Sequence, residues 1–203
     1  MIDEQFMYEL FGELYYSRAL REYNDDEIST TESIQCLLKT FFQRKMPRKL
    51  FQPKIVVLSF GDIVHTALRE PLIRRGYNVE KEGKWDLHNG TLYVHSDAVY
   101  TDHTLETKTV SRMPHNPLIH HFLQDNTYNF VLDKPIGYLA YLHKPSGFIK
   151  VFPCERSERS FEYVTLRAVR GIHHFTTNTM PKPEPSWLCK YCEYVDLCPA
   201  KKG

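Results

Sequence analysis

The chain has 203 residues, 42% of them hydrophobic, with 26 basic and 25 acidic side chains. That is enough to bury the core of one domain with at most a small appendage, and too apolar for a disordered chain. The near-zero net charge excludes nucleic-acid binding by bulk charge, leaving only a local basic patch. No apolar run is long enough for a membrane span and the first residues lack a signal peptide's apolar core, so a cytoplasmic location is the expectation.

Residues 1–23 read as an amphipathic helix, with Phe6, Leu10, Leu14 and Leu20 at near-helical spacing, ended by the polar run Asn24–Glu27. A second helix is expected from Thr30–Thr31, with Thr31 capping the amides ahead of Ile34, Leu37, Leu38 and Phe41, and Cys36 in its early turns. From Ser33 to Gly61 there is no acidic residue, while Lys39, Arg44, Lys45, Arg48, Lys49 and Lys54 alternate with Phe41, Phe42 and Phe51. Cations beside aromatic rings suit a sugar–phosphate backbone and stacked bases; a solvated basic face over core phenylalanines fits equally well.

Ser59-x-x-Asp62 resembles a capping box and predicts a helix to about Arg75, shortened or kinked by Pro71. His65, Leu68 and Leu72 share one stripe of it. The runs Val79–Leu87, Thr91–Tyr100 and Thr104–Val110 read as a meander, with Asn89–Gly90 as the first turn and Asp102–His103 as the second. That second turn pairs Tyr100 with Leu105, Val99 with Glu106 and Asp97 with Lys108. Strand side chains alternate faces, so Asp97, Glu106 and Lys108 share one. Two carboxylates there could share a hard cation through oxygen ligands, with the Lys108 ammonium beside it and the neutral imidazole of His65 as a third ligand. A solvent-facing salt bridge on an ordinary hairpin is the alternative.

Asn116–Pro117 is expected to open a helix running to about Leu132, with Gln124 and Tyr128 four apart on one face. Strands follow at Ile136–His143 and Phe148–Phe152, then a helix over residues 157–177 and an extended spacer, Pro181–Pro185. Cys189, Cys192 and Cys198 come last, spaced x₂ and x₅, with Pro199 after the third. Five cysteines in a chain of this kind favour metal binding or catalysis over disulfides. Three clustered thiolates lack one ligand for tetrahedral zinc or an iron–sulfur cluster, and Cys36 and Cys154 are both available for it.

Taken in order, Cys36, Gly61-x₃-His65, Asp97, Glu106-Thr107-Lys108, Gln124-x₃-Tyr128 and Cys189/Cys192/Cys198 resemble the RecB-like nucleases of the PD-(D/E)xK superfamily, and within them the CRISPR-associated family numbered four, Cas-four. The resemblance implies an α/β fold, a mixed central sheet flanked by helices, with an iron–sulfur region joining an N-terminal helix to the C-terminal tail. It divides the chain into an N-terminal helical region (1–58), a nuclease core (59–180) and a cluster tail (181–203). It assigns Cys36 as the fourth ligand of a 4Fe–4S cluster, with 2Fe–2S as the lesser alternative, and leaves Cys154 out. His65, Asp97, Glu106 and the Thr107 carbonyl become ligands of Mn²⁺ or Mg²⁺, Lys108 the catalytic lysine, and Gln124 and Tyr128 part of the DNA-binding face. The implied activity is a 5′→3′ exonuclease on single-stranded DNA that trims ends during CRISPR spacer acquisition, with the integrase proteins of that pathway as partners. The sequence departs from the pattern at Asp125, where the motif prefers an apolar residue, and at Ser96, where the superfamily name has Pro. Two other readings are a nucleic-acid-binding module with a structural zinc or cluster, and a viral or repair exonuclease outside CRISPR.

Overall fold

The computed structural model describes residues 4–19 and 24–202. Its centre is a six-stranded mixed sheet. The strands are β1 (Glu27–Ser29), β2 (Asn78–Leu87), β3 (Gly90–Val99), β4 (His103–Val110), β5 (Ile136–His143) and β6 (Ile149–Glu155). The helices are α1 (Glu4–Ala19), α2 (Thr30–Ile34), α3 (Leu37–Lys45), α4 (Gln52–Arg74), α5 (Ile119–Val131) and α6 (Glu158–Thr176), followed by 3₁₀ turns at Trp187–Tyr191 and Pro199–Lys202. Among the described residues no helix is long and apolar enough to cross a membrane.

Strand β3 organises the sheet. One of its edges carries β2, antiparallel from Asn78↔Val99 to Leu87↔Gly90. The other edge is shared. Short β1 runs parallel to residues 91–93, while β4 pairs with β3 only at Ala98↔Leu105 and Val99↔Thr104. Between these contacts β3 and β4 diverge into a fork that leaves residues 94–97 without a strand on that side. Beyond the fork β4 runs parallel to β5 along its whole length, a connection that requires a crossover, and α5 supplies it. β6 closes the sheet antiparallel to β5.

One apolar core lies where β1, β3, α2, α3 and α6 meet, around Ile28, Leu38, Leu92, Val164, Ile172 and Phe175. A smaller cluster, Leu139, Tyr141 and Cys154, lies under β5 and β6. Gly90, with φ +151°, turns β2 into β3 so tightly that a Cβ there would sit 2.0 Å from the Asp26 carbonyl oxygen, and this close approach lets β1 dock.

Several expectations from the sequence are corrected. The second hairpin turn is Thr101–Asp102, closed by the Tyr100 N–H donating to the His103 carbonyl (2.8 Å), so the register lies two residues from the expected one and Asp97 does not face Lys108. A slip of two keeps every side chain on its face; a slip of one would have reversed them. α4 begins at Gln52, with Pro53 in its first turn, because Pro suits a position whose amide is unbonded. Ser59 is interior and donates its hydroxyl to the Ile55 carbonyl (3.0 Å), and Pro71 does not end the helix. The expected helix from Thr31 is two helices. Ser29, not Thr31, caps α2 in a capping box with Glu32, and the chain breaks at Gln35–Cys36 before α3. α5 starts after Leu118 rather than at Asn116. In α1, which packs on α4, Phe6, Leu10 and Leu14 remain exposed; Leu20 lies outside the described residues. In the basic stretch Phe41 and Phe42 are core, and Lys39, Arg44, Lys45, Arg48 and Lys54 each pair with a carboxylate.

Candidate active site and cysteine pocket

The fork between β3 and β4 opens into a cavity of about 590 Å³ walled by α4, β2, β3, β4 and α5. His65, Asp97, Glu106, Thr107, Lys108, Gln124 and Tyr128 all line it. Asp97 sits one residue before the β3–β4 ladder begins, where the strands part. One of its oxygens, Oδ2, accepts the Thr107 amide N–H (2.7 Å) and the Thr107 hydroxyl (2.8 Å), so the carboxylate bridges the fork. The His65 ring enters from α4, with Nε2 3.1 Å from the Thr107 carbonyl oxygen and Nδ1 3.5 Å from Asp97 Oδ1. Helix, fork and β4 thus bring an imidazole, a carboxylate and a carbonyl into mutual reach.

Glu106, on β4, is 2% exposed. Oε1 accepts from Lys108 Nζ at 2.5 Å, whereas Oε2 is buried without a hydrogen-bond partner. Burial first, and the nearby Asp97 charge second, push the Glu106 carboxyl up to about 8, although the Lys108 ammonium opposes the shift. For Lys108 burial alone would favour the neutral amine, but Glu106 and Asp97 together outweigh it and the ammonium is held charged. On α5, the Gln124 amide donates to the Tyr128 hydroxyl (2.5 Å); burial raises Tyr128 well above its ordinary range, so the phenol stays protonated.

Among the described residues no three His, Cys, Asp or Glu side chains are arranged to hold a metal ion. The polar groups satisfy one another instead: Asp97 and His65 bond to Thr107, and Glu106 to Lys108. The donor chemistry nevertheless fits a hard divalent cation, since carboxylate, carbonyl and imidazole converge on the fork and Glu106 Oε2 is a buried acceptor with nothing bonded to it.

Asp125 turns its back on this cavity. It is fully buried, and its Oδ1 lies 2.8 Å from the Thr104 hydroxyl, which is also 2.7 Å from the Asn129 amide oxygen. Asn129 in turn donates to the Cys154 carbonyl (3.2 Å). The polar residue that interrupts the expected apolar position is accommodated by Gly137, where any Cβ would fall 2.0 Å from Asp125 Oδ2.

Cys36, Cys189, Cys192 and Cys198 line a second cavity, of about 520 Å³. Cys154 lies apart, in the small cluster with Leu139 and Tyr141. Glu184, in the proline spacer, brings the tail to α3. Its Oε2 accepts the Leu37 N–H (2.9 Å) at the unpaired start of the helix, and both its oxygens pair with Arg167. Arg167 also donates to the carbonyls of Ser33 and Gln35, fixing the break that holds Cys36. Thiols from two distant segments around one cavity fit a thiophilic metal or cluster.

The sequence reading did not single out Arg69 and Glu80, which also line the first cavity. Arg69 was within reach of it, being four residues beyond His65 on the same helix. Glu80 was not, because its position depends on a left-handed backbone (φ +52°) inside β2.

No protein-family profile matches the chain. A curated relative, the CRISPR-associated exonuclease Cas4 of Saccharolobus solfataricus, is 23% identical over 192 residues, covering 87% of this chain and 89% of the relative. The crystal structure of SSO0001 superposes with TM-score 0.76 at 21% identity, covering 96% of each chain. The alkaline exonuclease LHK-Exo of Laribacter hongkongensis superposes with TM-score 0.54 at 11% identity, covering 95% of this chain and all of that one. The mixed sheet flanked by helices is therefore a fold shared with solved exonucleases.

Proposed function

We propose that this chain is a metal-dependent deoxyribonuclease that hydrolyses phosphodiester bonds from an end of single-stranded DNA. The observation that carries this reading is the pairing, in one cavity at the β3–β4 fork, of Asp97 with a buried Glu106 whose Oε2 has no partner and whose Oε1 is bound to Lys108. The likeness to an exonuclease in sequence, and to others in fold, supports the same chemistry.

The residues that would hold Mn²⁺ or Mg²⁺ are His65, Asp97, Glu106 and the Thr107 carbonyl. Such an ion supplies Lewis-acid polarisation of the phosphate and a more acidic bound water. Thr107 fixes Asp97 through two hydrogen bonds, so that carboxylate needs little reorganisation. Lys108 carries a permanent ammonium at the cavity wall, where it offsets charge developing on the phosphate and orients the attacking water. Gln124 and Tyr128, bonded to each other, present an amide and a neutral phenol to the strand. Cys36, Cys189, Cys192 and Cys198 would hold a 4Fe–4S cluster that ties α3 to the tail. The finer reading is 5′→3′ polarity and a role in CRISPR spacer acquisition beside integrase proteins; the 23% identity to Cas4 supports it.

Anaerobic purification, a visible absorption spectrum and Mn²⁺-dependent cleavage of 5′- and 3′-labelled oligonucleotides test the proposal. Asp97→Ala should abolish cleavage while DNA binding persists. DNA binding without cleavage by the unaltered protein, under Mn²⁺ and Mg²⁺ alike, would leave a binding module and overturn the enzyme.

A further inference from the structure

Before any metal ion binds, the cavity at the fork is lined by more acidic than permanently basic side chains. Four carboxylates line it: Asp62, Glu80, Asp97 and Glu106. A polyanionic strand entering there meets like charge unless a cation receives it. Two permanently cationic side chains line the cavity, Lys108 and Arg69. Lys108 is held by buried Glu106 at 2.5 Å and faces inward. Arg69 differs in every respect. It stands on α4 one turn beyond His65, its side chain is 53% exposed, and its guanidinium makes one long contact, 3.5 Å, with Glu80.

Glu80 is unusual in its own right. In the β2–β3 ladder Val79 pairs with Ala98 and Lys81 with Ser96, so Glu80 occupies the step across from Asp97 and that pair is missing. Its φ is +52°, a left-handed conformation that Glu rarely adopts and that strains the backbone. The kink makes Glu80 part of the cavity wall, within ion-pair reach of Arg69. A strained residue is thus maintained beside the site, and what it holds is a guanidinium.

We propose that Arg69 is a phosphate clamp for the DNA strand, taking a backbone phosphate next to the scissile one, and that Glu80 is its placeholder. This rests on the nuclease reading of the same cavity. An exposed ion pair of this length has little net strength, so an entering phosphate displaces Glu80 readily. The planar guanidinium then binds the phosphate through two parallel N–H donors, a geometry a lysine cannot reproduce. In the free protein the Glu80 carboxylate keeps the guanidinium at the cavity mouth.

The test measures binding apart from cleavage. Anisotropy of a 5′-fluorescein single-stranded 20-mer is titrated with unaltered protein in EDTA at several salt concentrations, then with Arg69→Ala, Arg69→Lys and Glu80→Gln. Arg69→Ala should weaken binding about tenfold and reduce the log–log salt slope by about 0.7, the value for one lost contact to a single strand. Arg69→Lys should recover part of the affinity. Glu80→Gln, which removes the competing carboxylate, should tighten binding about twofold to threefold. Both side chains are about half exposed, and equal melting temperatures confirm that the variants fold. Unchanged affinity and slope for Arg69→Ala, or weaker binding by Glu80→Gln, overturns the clamp. Cleavage by the unaltered protein is measured in parallel with Mn²⁺. If the protein cleaves but Arg69→Ala binds normally, the clamp fails and the nuclease stands. If Arg69 governs binding and nothing is cleaved, the nuclease reading fails, and with it the placement beside a scissile phosphate, while Arg69 remains a phosphate contact for a bound strand.

Discussion

Asp97 and Thr107 are joined across the β3–β4 fork: a single carboxylate oxygen of Asp97 receives both the amide and the hydroxyl of Thr107, at 2.7 and 2.8 Å. The amide bond survives any side-chain change, so Thr107→Val isolates the hydroxyl. Losing it should cost about 1 kcal/mol of stability, the usual net worth of such a bond. Because the carboxylate is then held by the amide alone and is less tightly oriented, cleavage should fall about tenfold more than the stability loss explains. Single-turnover rates alongside thermal melts check this, and an unaltered rate would mean that Asp97 orientation is set elsewhere.

Lys108 and Glu106 form a pair in which one member is almost wholly buried. Lys108→Met removes the cation that opposes the rise, so the buried Glu106 carboxyl beside Asp97 is held protonated at neutral pH. Because that proton removes the charge left behind, the stability loss should stay below about 3 kcal/mol, the cost of a stranded buried ion, and loss of the ammonium should reduce cleavage at least about a hundredfold. The double variant Lys108→Met/Glu106→Gln should regain stability and no activity. Chemical denaturation of all three proteins reads the difference.

The buried network at Asp125 makes a pH prediction. Thr104 has one hydroxyl proton and two close acceptors, Asp125 Oδ1 and Asn129 Oδ1, while the Asn129 amide group donates to Cys154. One of the two contacts therefore needs a proton on Asp125. Burial, opposed by the Thr104 hydrogen bond, pushes its carboxyl from 3.8 up to about 6; the neighbours facing it are Thr104, Asn129, Cys154 and, at longer range, Lys108. The folded protein thus binds this proton more tightly than the unfolded chain does. Its contribution to stability is complete below about pH 4 and falls as pH rises through about 6, by at most about 3 kcal/mol. Asp125→Asn should flatten that part of the stability profile and be no less stable than the unaltered protein at pH 8, measured by denaturant unfolding across pH.

The cysteines separate into two groups. Cys36→Ala should abolish visible absorbance in anaerobically purified protein and lower the melting temperature, because the tail would then be left with the ion pairs of Glu184, Glu193 and Asp196 and the packing of Tyr194. Cys154→Ala, in the small core under β5, should keep the absorbance and cost only the packing of one small side chain, about 1 kcal/mol. The reverse pattern would reassign the fourth ligand.

Much of the site was legible in the chain because it depends on local rules. Strand alternation places Asp97, Glu106 and Lys108 on one face whichever even register is chosen, and α5 puts Gln124 and Tyr128 one turn apart. The hairpin register was missed by two residues because both alternatives bury the same face; the turn at Thr101–Asp102 chooses between them. The helix start at Gln52 was missed because Ser59 carries the local signature of a cap, yet the chain around it is already helical.

By itself, then, the sequence determined which chemical groups this protein possesses, their order, and the face each presents, since periods of 2 and 3.6 are properties of neighbouring residues. That Cys36, and not Cys154, lines one cavity with Cys189, Cys192 and Cys198 belonged to the tertiary structure, because Glu184 in the tail reaches the start of a helix 147 residues away. So did the fork: β1, from far up the chain, takes residues 91–93 of the β3 edge that β4 joins only at Ala98 and Val99, and pairing of that kind leaves no periodic trace in either strand.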